Sequence, residues 1–265
     1  MNSYESIRSF AWQRLFKEQW FGRLLGGSIL LGLCTQAIQM VIHKLLESLG
    51  VFTYADYTIK VVKAINEGRV IPTISEGLLF QFYSSFVLII FFSILMRSIG
   101  DYGMARIRLR CVHNDGRGWL GDAFDGFKRP LKLFFLSLSL MVIYCFWMIV
   151  GIFSFFIPTI IAFYRYRYAF LVQAENPDWT IGESLAACRT MMKGNKMRAF
   201  KLDCAYWKII TLTLLILLFT PFMPFFILPC FVMMIICSLY IAVGQTALYV
   251  EIRKEFHPSK YGNDG

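Results

Sequence analysis

Long apolar stretches set the strongest limit on what this sequence can fold into. Two of them, 24–46 and 77–98, each match one helix crossing the hydrocarbon core of a bilayer, which takes about 20 residues. Two others, 131–172 and 207–250, are roughly twice that length. With 57% hydrophobic residues and 26 phenylalanines, the chain carries more apolar surface than one soluble core can hide.

Each double-length stretch is expected to fold back once. Gly151 and Pro158 bracket the first predicted turn, and Pro221, Pro224 and Pro229 mark the second, because both residue types weaken a helix interior. The sequence therefore predicts an all-α polytopic membrane protein with six transmembrane helices in three hairpins. Its single membrane domain, 1–265, is predicted to contain spans 24–46, 77–98, 131–151, 154–173, 205–222 and 228–250, with an outer loop at 47–76.

Lysine and arginine are concentrated on one side of these predicted spans. Segments 1–23, 97–132, 165–208 and the tail after 250 hold 23 of the 27 basic residues and 13 of the 17 acids. This asymmetry predicts that both termini face the cytoplasm. The net charge of +10 lies beside apolar runs and accompanies no recognisable nucleic-acid motif. We therefore expect the cations to meet anionic membrane lipids, and we expect no nucleic-acid partner.

A short amphipathic helix is predicted on the cytoplasmic side before each hairpin, at about 3–20, 119–129 and 180–193. In the third, Thr180 and Glu183 have the spacing of a capping box, Leu185 and Cys188 recur at helical spacing, and Gly194 is placed for a left-handed cap. A cluster of lysine and arginine residues lies at the end of each predicted helix, just before the next span. The expectation is that their apolar faces lie in the membrane interface and their basic ends contact anionic headgroups.

The candidate contacts for an anion or a lipid headgroup are basic residues near the cytoplasmic ends of the spans: Arg165, Arg167, Lys193, Lys196, Arg198 and Lys201. Arg165 and Arg167 lie among tyrosines inside the fourth predicted span, where charge is costly. Either they border a polar pocket that faces the cytoplasm, or their long side chains extend past a belt of aromatic residues so that the charged ends reach the membrane surface. Residues two apart point to different faces of a helix, so Arg165 and Arg167 can line the same groove only if the helix unwinds locally.

Four glutamines are candidate intramembrane polar contacts: Gln36, Gln39, Gln81 and Gln245. Hydrogen bonds between helices are the first expectation for such groups, and a polar pathway is the alternative. No catalytic, cofactor-binding or metal-binding residue is predicted, because His43, His113 and His257 fall in separate segments and no Walker or G-x-S-x-G motif occurs.

Residues 156–210 resemble a family of bacterial integral-membrane proteins known as domain of unknown function 975. The resemblance lies in YRYRYAFLVQAENP (164–177), IGESLAACRTMMKGNKMRAFKLD (181–203) and the Tyr-Trp pair at 206–207. It implies a multi-pass protein of the bacterial cytoplasmic (inner) membrane, and it brings no known activity or cofactor.

Three functions are weighed on this basis. The first is a non-catalytic accessory, assembly or regulatory module with a possible protein partner. The second is a small transporter or lipid-handling protein that uses a pocket near Arg165 and Arg167. An embedded enzyme ranks last, since no acid falls inside the predicted spans.

Overall fold

The computed structural model describes residues 4–48, 62–63, 66–67, 76–115, 119–152, 154–219 and 227–256, and in these residues all regular secondary structure is helical. Most of the predicted outer loop 47–76, the turn at Pro221 and Pro224, and the side chain of Gln81 lie outside the described part. The helices are α1 (Tyr4–Trp12), a π-helical turn (Gln13–Lys17), α2 (Trp20–Ser48), α3 (Glu76–His113), α4 (Trp119–Phe124), a 3-10 turn (Asp125–Lys128), α5 (Pro130–Ile152), α6 (Ile157–Tyr166), α7 (Ala169–Glu175), α8 (Ile181–Met191), α9 (Lys196–Phe219) and α10 (Ile227–Phe256).

Among the described residues, four helical segments are long and apolar enough to cross a membrane: Trp20–Ile42, Phe86–His113, Pro130–Ile152 and Val232–Phe256. At a rise of 1.5 Å per residue, α3 is about 57 Å long and α10 about 45 Å. Both exceed the ~30 Å hydrocarbon core, so each extends beyond it at one end or both. The chain is thus helical and of membrane type, as predicted.

The buried core lies towards one end of the long helices. It takes the first turns of α2, including Trp20 and Leu24, and the later halves of α3 and α10. The other halves expose large apolar side chains: Leu33, Met40 and Val41 on α2, Phe86 and Val87 on α3, and Val232, Met233 and Met234 on α10. This arrangement suits a bundle in which lipid covers the apolar halves, because a soluble protein rarely exposes so much contiguous apolar surface.

The fourth predicted span is not one continuous helix. Helix α6 ends at Tyr166, Arg167 and Tyr168 form a turn, and α7 begins at Ala169. The fourth span was predicted over 154–173, and the structure divides the helical part of this range between α6 and α7. The break follows from tertiary contacts, since Arg167 and Tyr168 bind side chains of α9 and α10. Beyond the break, α7 packs into the core, and Arg106 on α3 donates a hydrogen bond to the Ala174 carbonyl.

The three short helices form where they were predicted, but two of them do not offer their apolar faces to lipid. Ile7, Ala11 and Leu15 of the first segment, and Cys188 and Met191 of α8, are buried in the protein core. The apolar face of an amphipathic helix is stabilised by packing against apolar protein as well as by contact with lipid. Sequence periodicity shows that the face is apolar but does not distinguish these two environments. In the segment 119–128, Leu120, Phe124 and Phe127 are exposed, and their position in the membrane interface stays a prediction.

The predicted ends of α8 are confirmed. The Thr180 hydroxyl accepts a hydrogen bond from the Glu183 amide, and the Glu183 carboxylate accepts one from the Thr180 amide, which forms a complete capping box. After α8, Gly194 adopts the left-handed conformation at φ +90°, and α9 begins two residues later. A side chain at this φ would be strained, so glycine is what lets the chain reverse here.

Candidate anion-binding site

Four basic side chains from α6, α8, α9 and the turn between the last two line one cavity of about 760 Å³. They are Arg165 in the last turn of α6, Arg189 in the last turn of α8, Lys193 in the turn after it, and Lys196 at the start of α9. We call this cavity the basic basin. Its other lining residues are Tyr166, Gly182, Leu185, Ala186 and Thr190.

The end of α8 and the turn after it bring these cations together. Gly194 reverses the chain between Lys193 and Lys196, so that both border one space. The Cys188 thiol donates a hydrogen bond of 3.4 Å to the Arg165 carbonyl, which fixes the end of α6 against α8. The stretch 189–200 thus holds three of the four basin cations, and the fourth comes from α6.

The floor of the basin is made of small side chains. Gly182, Ala186 and Thr190 recur every four residues along α8 and therefore share one face of that helix. Large side chains at these positions would fill the space between the four cations. Because Gly182, Ala186 and Thr190 are small and share one face of α8, that face leaves the space between the basic side chains open.

The charge of the basin is not compensated within the described part of the chain. None of its described lining residues is acidic, and none of the ion pairs found among those residues includes Arg165, Arg189, Lys193 or Lys196. Four positive charges around one cavity raise the local potential and attract anions. The arginines offer forked N–H donors suited to phosphate or carboxylate, and the lysines offer compact point charges.

Arg167 lies in different surroundings, although it is only two residues from Arg165. Both of its terminal nitrogens donate to the Asp203 carboxylate on α9. The Tyr164 hydroxyl also donates to Asp203, at 2.8 Å, and the Gln245 amide on α10 donates to the same carboxylate. Tyr168 donates to the carbonyl oxygen of Gln245 at 2.8 Å. We call these five residues the Asp203 network.

The six predicted headgroup contacts do not lie in one site. Arg165, Lys193 and Lys196 border the basin, whereas Arg167 binds Asp203. Arg198 pairs with Glu251 at 3.1 Å and Glu255 at 2.6 Å on α10, so it ties α9 to α10, and exposed Lys201 does not line the basin. The spacing argument that Arg165 and Arg167 face different ways is confirmed.

Two residues of functional interest were missed from the sequence. Arg189 belongs to the basin, and its position four residues before Lys193 signals a shared helical face. Asp203 lies just before the fifth predicted span and was not considered as a partner for a cation in the fourth span. No local pattern pairs residues 36 apart along the chain.

Two of the four predicted glutamines bond between helices, as expected. Gln39 on α2 donates to Ser93 on α3 at 3.3 Å, and Gln245 joins α10 to α9 and to the turn after α6. Gln36 lies beside Gln39 in a cleft of about 510 Å³ between α2 and α3.

Two titratable groups on α8, both outside the basin lining, have shifted pKa values. Burial raises the pKa of the Cys188 thiol to about 12, which keeps it neutral and unreactive. Hydrogen bonds from the Thr180 amide and hydroxyl lower the pKa of Glu183, so its carboxylate stays ionised and engaged in the cap. The chemistry that the basin itself offers is electrostatic binding.

The helices that supply the basin cations also carry exposed apolar side chains. Ile161 and Phe163 precede Arg165 on α6, and Met197 and Phe200 follow Lys196 on α9; all four are exposed. Cationic and exposed apolar side chains therefore alternate within a few residues of each other on α6 and α9. This is the arrangement expected at the level of lipid headgroups.

Comparison of the chain with protein-family models, with curated proteins and with solved structures finds no match. The function is therefore inferred from the residues of the basin, their charges and their surroundings.

Proposed function

We propose that this protein is a non-catalytic multi-pass membrane protein that binds anionic lipid headgroups on its cytoplasmic side through the basic basin. One observation carries the proposal: four cations surround a cavity with no acid among its described lining residues, and the helices α6 and α9 that supply two of them carry exposed apolar side chains. A headgroup phosphate would accept hydrogen bonds from Arg165, Arg189, Lys193 and Lys196. The acyl chains of the same lipid would lie against α6 and α9.

The proposed topology has six crossings: α2, α3, α5, α6 with α7, α9 and α10. Helix α6 alone covers about 15 Å, so the proposed return from the far end of α5 uses α6, the turn at Arg167 and Tyr168, and α7 together. The distribution of basic residues supports cytoplasmic termini and a cytoplasmic basin. The resemblance of residues 156–210 supports the inner membrane of a bacterium. In this setting the protein acts as an accessory, assembly or regulatory module, with its short helices available to a protein partner.

Native mass spectrometry tests the headgroup proposal. The protein is purified in mild detergent with equal amounts of phosphatidylglycerol and phosphatidylcholine, and the retained lipid is counted. We expect preferential retention of phosphatidylglycerol, with affinity falling about tenfold or more in an Arg189→Gln, Lys193→Gln variant, because each cation is worth about 1 kcal/mol. The matched control is Lys201→Gln, Lys254→Gln, which removes two exposed cations outside the basin. Equal retention of both lipids, or an equal loss in the control, contradicts the proposal.

A second candidate function, a small transporter or lipid-handling protein, is supported by a different cavity. A cleft of about 450 Å³ between α3, α7 and α10 is lined by Asp101, Arg108, Arg167 and Gln245, among other residues. Charged groups at this depth normally face protein or a water-filled space. Lipid scrambling or solute flux in proteoliposomes, reduced by Arg108→Gln, would favour this function. Flux unchanged by that variant would remove the cleft from consideration.

A further inference from the structure

The charge of the basic basin exceeds what an ordinary phospholipid can neutralise. Arg165, Arg189, Lys193 and Lys196 contribute four positive charges, and none of the described lining residues is acidic. A lipid with one phosphodiester brings a single negative charge, which leaves most of the basin unmatched. A phosphate monoester brings about −1.5 to −2 at neutral pH. Two phosphate groups in one ligand would come closest to balancing the site.

The placement of the cations favours a ligand with two anionic groups over a single one. Arg165 comes from α6, Arg189 and Lys193 from the end of α8 and the turn after it, and Lys196 from α9. They surround the cavity from different elements and do not form one strip along a helix. The volume of about 760 Å³ also exceeds the needs of one phosphate and falls within the range of ligand sites.

The short side chains on the basin floor leave room for a second phosphate. Gly182 and Ala186 have no side-chain polar group, and the Thr190 hydroxyl already donates to the Ala186 carbonyl at 2.8 Å. The floor therefore supplies space, while the cations around it supply the binding groups. Recognition in such a site depends on the charge and reach of the anion.

We propose that the basin takes a diphosphate group, two phosphates in series, carried by a lipid of the cytoplasmic leaflet. This inference rests on the proposed headgroup function and names its ligand class. The lipid source follows from the exposed apolar side chains on the helices that supply Arg165 and Lys196: Phe163 on α6, and Met197 and Phe200 on α9. A free diphosphate shares the same recognition chemistry and is the alternative source.

Matched lipids separate these possibilities. Diacylglycerol diphosphate and phosphatidic acid with identical acyl chains differ only by one phosphate, and inorganic diphosphate lacks the chains. Each probe is titrated against the full chain in mild detergent, and binding is followed by native mass spectrometry and by thermal stabilisation. We expect the diphosphate lipid to bind about tenfold more tightly than phosphatidic acid, and inorganic diphosphate to bind more weakly than the diphosphate lipid.

Two double variants locate the effect. Arg189→Gln, Lys193→Gln is expected to abolish the tenfold preference, since two cations worth about fivefold each together contribute about 25-fold. Lys201→Gln, Lys254→Gln is expected to leave the preference unchanged, because neither residue borders the basin. All four side chains are exposed, so both variants should unfold near the temperature of the original protein.

The outcomes bear differently on the two proposals. Equal binding of diacylglycerol diphosphate and phosphatidic acid, with both lost in the basin variant, overturns the diphosphate inference and leaves the headgroup function standing. Failure of every anionic lipid to bind overturns both. Inorganic diphosphate binding as tightly as the lipid, and sensitive to the basin variant, overturns the lipid source and supports the diphosphate chemistry.

Discussion

Asp203 on α9 is the centre of a polar network that joins α9 to α10 and to the region of α6 and α7. It accepts hydrogen bonds from Arg167, Tyr164 and Gln245, which belong to the α6–α7 region and to α10. The side chains of Arg167 and Asp203 are 19% and 24% exposed, so water screens their interaction only in part. Asp203→Asn keeps the shape of the residue and removes its charge, which leaves the Arg167 guanidinium without its counter-ion.

The expected cost lies between two known limits. Breaking a fully buried ion pair by removing one partner costs about 3–5 kcal/mol, and an exposed pair is worth about 0–1 kcal/mol. For this half-buried pair we expect Asp203→Asn to destabilise the protein by about 2–3 kcal/mol. The matched control is Asp178→Asn. Asp178 pairs with Arg129 at 2.9 Å but is 88% exposed, so its loss should cost less than about 1 kcal/mol.

Unfolding of the purified protein by sodium dodecyl sulfate in mixed micelles, followed by circular dichroism, measures both changes. Adding Arg167→Met to Asp203→Asn should recover about 1 kcal/mol or more, because an apolar side chain replaces the uncompensated charge. The reasoning fails if Asp203→Asn costs no more than Asp178→Asn. It also fails if Arg167→Met destabilises the Asp203→Asn protein further.

Three other changes should give measurable results. Thr180→Ala should destabilise the protein by about 1 kcal/mol through loss of the N-cap. Hydrogen bonds from the Thr180 amide and hydroxyl lower the pKa of Glu183, so the carboxylate's contribution is complete above the ordinary glutamate pKa and is lost as pH falls through the lowered value. The difference between the two proteins in thermal melts should therefore narrow in acid without vanishing, because the Thr180 hydroxyl still accepts a hydrogen bond from the Glu183 amide. Gly244→Ala should cost about 1–3 kcal/mol, since its Cβ would lie 2.0 Å from the Tyr206 hydroxyl, whereas Gly22→Ala meets open space and should be neutral or slightly stabilising in the same melts. Maleimide should not label Cys188 at pH 7.5 until the protein unfolds, because burial raises the pKa of its thiol to about 12. Peptide mass spectrometry separates Cys188 from the exposed Cys145 and Cys204, and rapid labelling of Cys188 itself in the native protein would contradict this.

Sequence alone determined the helical membrane class and the local signals at helix ends. A run of about 20 apolar residues has few stable structures other than a spanning helix, because backbone groups in lipid must bond within their own segment. The capping box of Thr180 and Glu183 and the left-handed Gly194 were readable for a similar reason, since each depends on residues within three or four positions.

Tertiary structure decided which charges are paired and which are free. Arg165 and Arg167 look alike in the sequence, yet Arg167 is neutralised by Asp203, 36 residues away, and Arg165 faces an uncompensated basin. The same contacts break the fourth predicted span, and packing against the core turns the apolar faces of α1 and α8 inward. A helical period shows that a face is apolar, but only the positions of the other helices settle whether protein or lipid covers it.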